Sequence, residues 1–222
     1  MKKLIAIIGI ISLCYSCNQK KEKTQIEAPV SVAQKIANAH GFENWKNVAE
    51  IQFTFNVDRD SSHFERTWFW KPAQDLVVMK SKDETVKYNR ASIDSLSLKA
   101  DQGFINDKFW LLVPFQLVWD DGATISDPIK EKAPVSNVEM NKITLTYSND
   151  GGYTPGDAYD IYFDENYLIK EWIFRKGNQK EPSMITTFEN YQEFNGIKIA
   201  LEHKKQPENW NLNFTNVKVI LK

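Results

Sequence analysis

The stretch KITLTYSNDGGYTPGDAYDIYFDENYLIKEWIFRK, residues 142–176, decides the fold class of this chain. Apolar Ile143, Leu145 and Tyr147 alternate with polar residues, which predicts a strand that is buried on one face. Turn-forming residues separate this strand from two more. The predicted strands are residues 143–148, 159–163 and 168–174. Three consecutive strands with short connections predict an antiparallel meander.

The flanking residues carry the same strand pattern. In residues 50–57, apolar side chains alternate with polar ones, which predicts an antiparallel sheet covered on one face. Asn195-Gly196 predicts a two-residue hairpin turn. Further strands are predicted at residues 66–71, 76–80, 85–88, 184–191, 197–204 and 212–221. About ten short strands are typical of a sandwich, a barrel or a strongly curved sheet. We therefore expect a mainly β (α+β) fold, with a large curved antiparallel sheet or incomplete β-barrel whose concave face is covered by short helices.

Two segments predict those helices. Ser31 and Gln34 have the spacing of a capping box, and Gly41 is a natural stop for the helix between them. Residues 101–115 are apolar enough to cover the concave side of the sheet, with Asp107 as N-cap and Pro114 disfavouring helix at the preceding residue. The residues from there to position 134 are predicted to be mainly surface loop.

The N-terminus predicts where the protein resides. A positive start, Met1-Lys2-Lys3, precedes an apolar run of ten residues, which is too short to span a bilayer and suits a signal peptide. Ser16-Cys17 resembles a bacterial lipobox, in which a small residue precedes a cysteine that is lipidated; an ordinary secretory signal is the alternative. We expect a signal peptide at residues 1–16, lipidated Cys17 with a flexible tether at residues 17–29, and a single domain at residues 30–222. The location would be the bacterial cell envelope, with the lipid anchor in the outer membrane.

Composition excludes several classes of function. The chain has 28 basic and 29 acidic residues. Two of the lysines, Lys2 and Lys3, belong to the predicted signal peptide. Without a basic surplus, no nucleic-acid partner is expected. Both cysteines, Cys14 and Cys17, precede the predicted domain, so no disulfide framework, thiol nucleophile or cysteine-bound zinc is available there. No cofactor is predicted.

Histidines and clustered aspartates allow two further hypotheses. His63 lies near aspartates and serines, which is the residue set of a hydrolase, but it is also ordinary turn composition, and no Gly-x-Ser-x-Gly motif is present. His40 near a helix end favours a packing or capping role. Two sets of aspartates could bind calcium, although the EF-hand spacing is absent and surface turns explain them as well. The two sets are Asp120, Asp121 and Asp127, and Asp157, Asp160 and Asp164.

Aromatic residues are the most suggestive group for binding. They fall on predicted strands and on the predicted helical cover, where they could line one concavity or fill a core. A curved sheet under a helical cover can leave an apolar pocket, the usual form of a ligand site. The predicted ligand-binding residues are Phe53, Phe55, Trp68, Trp70, Phe104, Trp110, Trp119 and Trp172.

The order of these features resembles the LolA/LolB-like lipoprotein-carrier fold, and in particular bacterial envelope lipoproteins of unassigned function that share it. The segments that carry the resemblance are Ala39-His40-Gly41 with Trp45, residues 104–108 with Trp110, Pro114-Phe115 with Trp119-Asp120, and residues 151–159. In that fold, an incomplete antiparallel barrel holds acyl chains under a helical cover. The resemblance therefore implies an apolar ligand and provides no catalytic residue.

Three hypotheses follow from the sequence. The first is a lipid-anchored protein that binds a lipid, an acyl chain or another apolar ligand in a cavity of the curved sheet. The second is an accessory lipoprotein of an envelope complex, with a solid core and an exposed apolar patch. The third is an anchored hydrolase, in which His63 or His203 would contact a serine and an acid within a cleft.

Overall fold

The computed structural model describes residues 30–150, 153 and 155–222. The predicted signal peptide, Cys17 and the tether lie outside the described residues. The helices are α1 (Val32–Ala39) and α2 (Leu98–Trp119). The first strands are β1 (Val48–Arg59), β2 (Ser62–Lys71), β3 (Leu76–Lys80), β4 (Thr85–Asn89), β5 (Ala123–Ile125), β6 (Ile129–Lys132) and β7 (Glu139–Tyr147). The others are β8 (Ala158–Phe163), β9 (Ile169–Arg175), β10 (Met184–Thr187), β11 (Glu189–Phe194), β12 (Ile197–Lys205) and β13 (Trp210–Leu221).

The strands form two antiparallel sheets. The first has seven strands in the order β11-β12-β13-β1-β2-β3-β4, and the second has the order β10-β9-β8-β7-β5, with β6 also paired to β7. Only Phe188 separates β10 from β11, so the segment predicted as one strand at residues 184–191 passes from the second sheet into the first. Within the described residues β4 does not pair with β5, and the barrel stays incomplete. The predicted mainly β fold class is confirmed.

Local sequence signals place several elements correctly. The predicted meander is strands β7, β8 and β9, which pair antiparallel in that order. Asn195 and Gly196 both have positive φ, 50° and 79°, as a type I′ hairpin turn requires. The Ser31 side chain accepts a hydrogen bond from the Gln34 backbone N–H, which caps α1. These turns and caps depend on neighbouring residues alone, which is why sequence predicts them.

Helix α2 differs from its prediction. It spans 22 residues, begins at Leu98 and continues past Pro114 to Trp119. Pro114 lacks a backbone N–H and its ring crowds the preceding turn. The helix therefore kinks, with non-helical backbone at Leu112 (φ −127°, ψ 29°), instead of ending. The prediction of Asp107 as N-cap is wrong, because this residue lies inside the helix and its side chain is fully buried.

Two further segments correct the predicted loops. The stretch before position 134 contains two strands, β5 and β6, which both pair with β7. The backbone N–H groups of Val135 and Ser136 donate to the buried Glu171 carboxylate, which fixes the connection after β6. These strands were missed because both are short: β5 alternates apolar and polar residues over only three positions, and β6 is exposed along its whole length. Among the described residues, no helix is both long and apolar enough to cross a membrane.

Helix α2 lies between two hydrophobic cores. The first core packs the helix against β1, β2, β12 and β13 and contains Phe53, Trp68 and Phe104, each fully buried. The second packs helices α1 and α2 against the second sheet, around Ile161 and Trp172. Trp110 and Val118 of α2 contact both cores. Every residue of the helix from 111 to 117 is buried, so this part must be covered on more than one side, and the two sheets provide that cover.

Asp107 attaches this helix to the first sheet. Its carboxylate accepts two hydrogen bonds from the Arg66 guanidinium, each 2.6 Å, and one from Trp68 Nε1 at 2.7 Å. Asn106 Nδ2 donates a fourth at 3.0 Å. Burial raises the pKa of the Asp107 carboxyl, and the Arg66 guanidinium opposes that rise. A charge in a fully buried position is tolerated because four hydrogen-bond donations are directed at it.

The Asp107 carboxylate is expected to be essential for stability. Asp107→Asn leaves the part-buried Arg66 guanidinium without its counter-charge, so the free energy of unfolding should fall by about 3 kcal/mol. Urea denaturation measures this. The double variant Arg66→Met with Asp107→Leu removes both charges, and it should recover most of the loss. Equal instability of the two variants would contradict a role based on charge pairing.

Gly103 should be required because α2 approaches Arg66 closely. A Cβ at this position would lie 2.6 Å from Arg66 Nη1. Alanine normally stabilises a helix interior by about 1 kcal/mol relative to glycine, but here it would displace the guanidinium from Asp107. We expect Gly103→Ala to lower the urea midpoint in the natural sequence and to raise it in an Arg66→Met background. The same sign in both backgrounds would contradict this reading.

Candidate functional site

A cavity of about 480 Å³ lies between α2 and the concave face of the second sheet. The helix supplies one wall with residues from both sides of its kink. Strands β7 to β10 supply the facing wall, and the residues after α2 and after β7 supply the rim. The helix residues are Gln102, Ile105, Asn106, Lys108, Phe109, Trp110, Gln116 and Trp119. The other lining residues are Asp120, Asp121, Gly122, Tyr147, Ser148, Asp150, Tyr153, Asp157, Tyr159, Trp172, Phe174 and Met184.

Aromatic rings cover the wall on the sheet side. Tyr159 and Phe174 stack with ring centroids 5.1 Å apart, and Tyr159 also lies 5.1 Å from Trp172. From the helix, Phe109 stacks on Trp172 at 5.9 Å and Trp110 meets its edge at 4.4 Å. These contacts hold the rings rigidly in place, so the cavity has a fixed apolar surface.

The helix side of the cavity also carries a polar chain. The Gln116 amide is oriented so that both of its polar atoms form hydrogen bonds. Its oxygen accepts from Lys108 Nζ at 3.2 Å, and its nitrogen donates to Asp120 Oδ1 at 3.1 Å. The other oxygen of Asp120 accepts a hydrogen bond from the Tyr147 hydroxyl. Burial, then this hydrogen bond, raises the pKa of Tyr147, which keeps the phenol neutral. The chain joins the helix, the rim and strand β7 on one side of the cavity.

Acidic residues at the rim are used in structural contacts. Asp157 accepts a hydrogen bond from the Gly177 backbone N–H at 2.7 Å, which connects the residues after β7 to the residues after β9. Asp101 lies beyond the rim and accepts from Arg90 Nε and the Tyr153 hydroxyl, each at 2.9 Å. Tyr153 therefore bridges the cavity rim to the start of α2.

The predicted binding residues divide into two groups. Trp110, Trp119 and Trp172 line the cavity. The other five belong to the first core, where rings and aliphatic side chains pack against one another and each residue is at most 7% exposed. These five are Phe53, Phe55, Trp68, Trp70 and Phe104. The structure thus brings together Trp110 and Trp119 of α2 with Trp172 of the second sheet at the cavity.

Several lining residues were not singled out by sequence. Tyr147, Tyr159 and Phe174 alternate with outward-facing residues along β7, β8 and β9, so strand parity within the meander could have found them. Lys108 had no such signal, because a lysine in a helix is normally exposed. Only the placement of the second sheet shows that this face of α2 borders a cavity.

The described histidines do not form the geometry that a hydrolase needs. His63 is exposed, and its ring nitrogens contact Asp58 at 2.7 Å and Glu65 at 3.5 Å, with no serine in the set. His203 is fully buried, donates from Nδ1 to the Thr187 carbonyl at 3.1 Å, and packs against Trp110 and aromatic residues of the cores. Burial lowers its pKa to about 3, so it is neutral.

The predicted role of His40 agrees with its position. It is the C-cap of α1, and its Nδ1–H donates to the Ile36 carbonyl at 2.8 Å. Burial lowers its pKa to about 4, and the neutral ring packs against Tyr191. His40 therefore closes one end of the helix as a packed, uncharged side chain.

Two of the aspartates considered for calcium, Asp160 and Asp164, have other partners. Asp160 lies on β8 and accepts from Arg175 Nε at 2.9 Å and from Thr144 Oγ1 at 2.6 Å. Asp164 accepts backbone N–H groups in the turn between β8 and β9, so the turn explanation holds for this residue. Across residues 30–150, 153 and 155–222, no three histidine, cysteine or acidic side chains come together as a metal-binding set.

Comparison with known proteins gives similarity at the level of the fold. No protein-family model matches the sequence, and no curated protein matches it. Solved structures are similar to the chain, and three of them have sequence identities of 9–11%. One is a DUF1329 family protein from Desulfovibrio piger (TM-score 0.45, 10% identity, 86% of this chain and 93% of that one). The second is a LolA superfamily protein from Nitrosomonas europaea (TM-score 0.49, 9% identity, 85% and 93%).

The third similar structure is an outer membrane lipoprotein-sorting protein domain from Vibrio parahaemolyticus, with a TM-score of 0.49 and 11% identity over 85% of this chain and 90% of that one. Two of these three structures carry the LolA or lipoprotein-sorting name, the family that the sequence motifs resemble.

Proposed function

We propose that this protein binds a lipid, an acyl chain or a similar apolar molecule in the cavity between α2 and the second sheet. The observation that carries the proposal is the aromatic cavity itself. Its volume of about 480 Å³ falls within the range of small-molecule sites. On the other side of the same helix, Phe53, Trp68 and Phe104 are fully buried in the first core, whereas Trp110, Trp119 and Trp172 border the cavity.

Burial of apolar surface would supply the binding energy. Each Å² of apolar ligand surface removed from water contributes about 25 cal/mol. The rings of Tyr159, Trp172 and Phe174 are already held by their neighbours, so little side-chain freedom is lost when a ligand enters. The polar groups at the rim would remain in contact with water and fix the orientation of the ligand.

We further propose that the protein is anchored in the bacterial cell envelope through lipidated Cys17, in the outer membrane. The support is the sequence of residues 1–17, which has the charge, the apolar run and the small-residue-plus-cysteine ending of a lipoprotein signal. Several acyl chains on one cysteine make release from the membrane negligible. A tether of about eleven residues has a reach of roughly 20 Å, which would keep the cavity near the membrane surface.

The proposed binding is testable with native mass spectrometry of residues 18–222, produced in bacteria without the predicted signal, together with lipid extraction. We expect a co-purifying acyl species in defined stoichiometry. A mass that corresponds to the free chain and does not change on adding phospholipids or acylated peptides would contradict the proposal. That result would favour an accessory protein that acts through protein contacts.

A cavity-filling substitution should weaken binding. Met184 lines the cavity and pairs with Phe174, another lining residue. Met184→Trp would occupy ligand space, and loss of about 50 Å² of buried ligand surface lowers affinity by roughly tenfold. Ligand occupancy in the native mass spectrum measures the effect.

Ile185→Trp is the matched control for this experiment. Ile185 is the next residue of β10 and pairs with Ile173, so it lies on the opposite face of the sheet. The same bulky substitution there should leave occupancy unchanged. If the two variants reduced occupancy equally, the ligand would not lie in this cavity.

A further inference from the structure

Lys108 is a charged side chain in an unusual position. It follows Asp107 on α2, lines the cavity and is only 8% exposed. Its Nζ lies 5.8 Å from the ring centre of Trp70 and 5.7 Å from that of Trp119. Contact with aromatic faces stabilises an ammonium group. By itself, this contact does not replace the stabilisation that the group loses when it is removed from water.

The charge of Lys108 has no carboxylate partner in the described residues. Within the described residues, no carboxylate oxygen lies within 4.0 Å of Lys108 Nζ. The close polar neighbour of Nζ is the neutral Gln116 amide. Of the carboxylates nearby, Asp107 pairs with Arg66 and Asp101 with Arg90, while Asp120 is hydrogen-bonded to the neutral Tyr147 and reaches Lys108 only through the Gln116 amide. An ammonium has three donors and Gln116 accepts one of them, which leaves two without a hydrogen bond in the described residues.

A purely structural role explains this arrangement poorly. A buried lysine costs stability unless it is paired, and an apolar residue of similar length would fill the same space between the two tryptophans. The neighbouring Asp107 shows the contrast, since its charge is matched by four donors. The missing counter-charge on Lys108 would be supplied by a bound molecule.

We propose that the cavity selects single-chain amphiphiles that end in a carboxylate, which Lys108 binds while the chain lies along the aromatic wall. This inference rests on the proposed function and identifies the class of ligand. The two free donors of Nζ can reach both oxygens of one carboxylate. Asp120, Asp121, Asp150 and Asp157 line the same cavity, so a ligand with a single negative charge fits better than one with two.

The test uses three photoactivatable probes that share one diazirine-bearing dodecyl chain and end in a carboxylate, a hydroxyl or a trimethylammonium group. The full-length protein is held in nanodiscs of phosphatidylcholine, and labelled peptides are identified by mass spectrometry. We expect the carboxylate probe to label cavity peptides about tenfold more than the alcohol probe. This ratio is the gain in affinity that one charge-assisted hydrogen bond provides. The trimethylammonium probe should label least.

Substitution of Lys108 should remove this preference. In Lys108→Met, the carboxylate probe should label no more than the alcohol, and Lys108→Arg should retain part of the preference because it keeps the charge. Lys99→Met is the matched control, since it changes an exposed lysine of the same helix outside the cavity. Lys108→Met should also unfold at an equal or higher temperature, because it removes a buried unpaired charge.

The outcomes separate this inference from the proposed function. Equal labelling by carboxylate and alcohol in the natural protein overturns the role of Lys108 while apolar binding stands. Strongest labelling by the trimethylammonium probe overturns it as well, because the rim carboxylates would then decide specificity. Absence of labelling by all three probes overturns apolar binding itself. A large fall in the unfolding temperature of Lys108→Met would identify the lysine as structural.

The carboxylate preference should also depend on pH. Burial lowers the pKa of Lys108 to about 8, with Arg90 acting in the same direction and Asp120 and Asp101 opposing it. The ammonium is charged below this pKa and neutral above it, so the preference is present near pH 7 and declines as the pH rises through about 8. Burial raises the pKa values of the cavity tyrosines Tyr147, Tyr153 and Tyr159, which stay neutral over this window. A preference that persists at about pH 10 would contradict the inference.

Discussion

The buried carboxylate of Asp107 is the constraint on which the arrangement depends. Helix α2 lies between two sheets, where a lone charge would be prohibitively costly. Arg66 and Trp68 on β2 satisfy it with three short hydrogen bonds, and Gly103 allows the guanidinium to approach the helix. This contact sets both the rotation and the depth of α2 on the first sheet, because only one orientation directs the carboxylate at these donors.

Once the helix is oriented in this way, its two sides behave differently. The side toward the first sheet packs Phe104 against Trp68 and Trp70, with ring centroids 5.4 Å apart in both pairs. The side toward the second sheet packs Val113 and Leu117 into the second core and leaves a cavity beside them. Pro114 contributes to the shape of the cavity. The kink that it causes lets helix residues before and after it line the helix wall of the cavity. A solid core and an open cavity therefore share one helix.

Charge shows the same division. Asp107 and Lys108 are consecutive and both buried, yet the first is paired inside the protein and the second faces the cavity. Natural proteins commonly retain costly buried charges at sites where a ligand completes them. The contact between Asp107 and Arg66 attaches α2 to the first sheet, and Lys108 borders the cavity on the side of the second sheet.

The sequence by itself determined the mainly antiparallel strands, the cap at Ser31 and the hairpin at Asn195-Gly196. It also predicted a lipoprotein-like N-terminus. Each of these depends on residues that are close in the chain. The sequence also identified aromatic residues as candidates for ligand binding. However, alternation within a strand does not predict which aromatic residues fill a core and which border a cavity. Only the tertiary structure decided that Trp68 is core, that Trp172 borders a cavity and that Lys108 lies buried beside it. The physical reason is that burial and pairing of a side chain depend on elements distant in sequence, which local pattern does not encode.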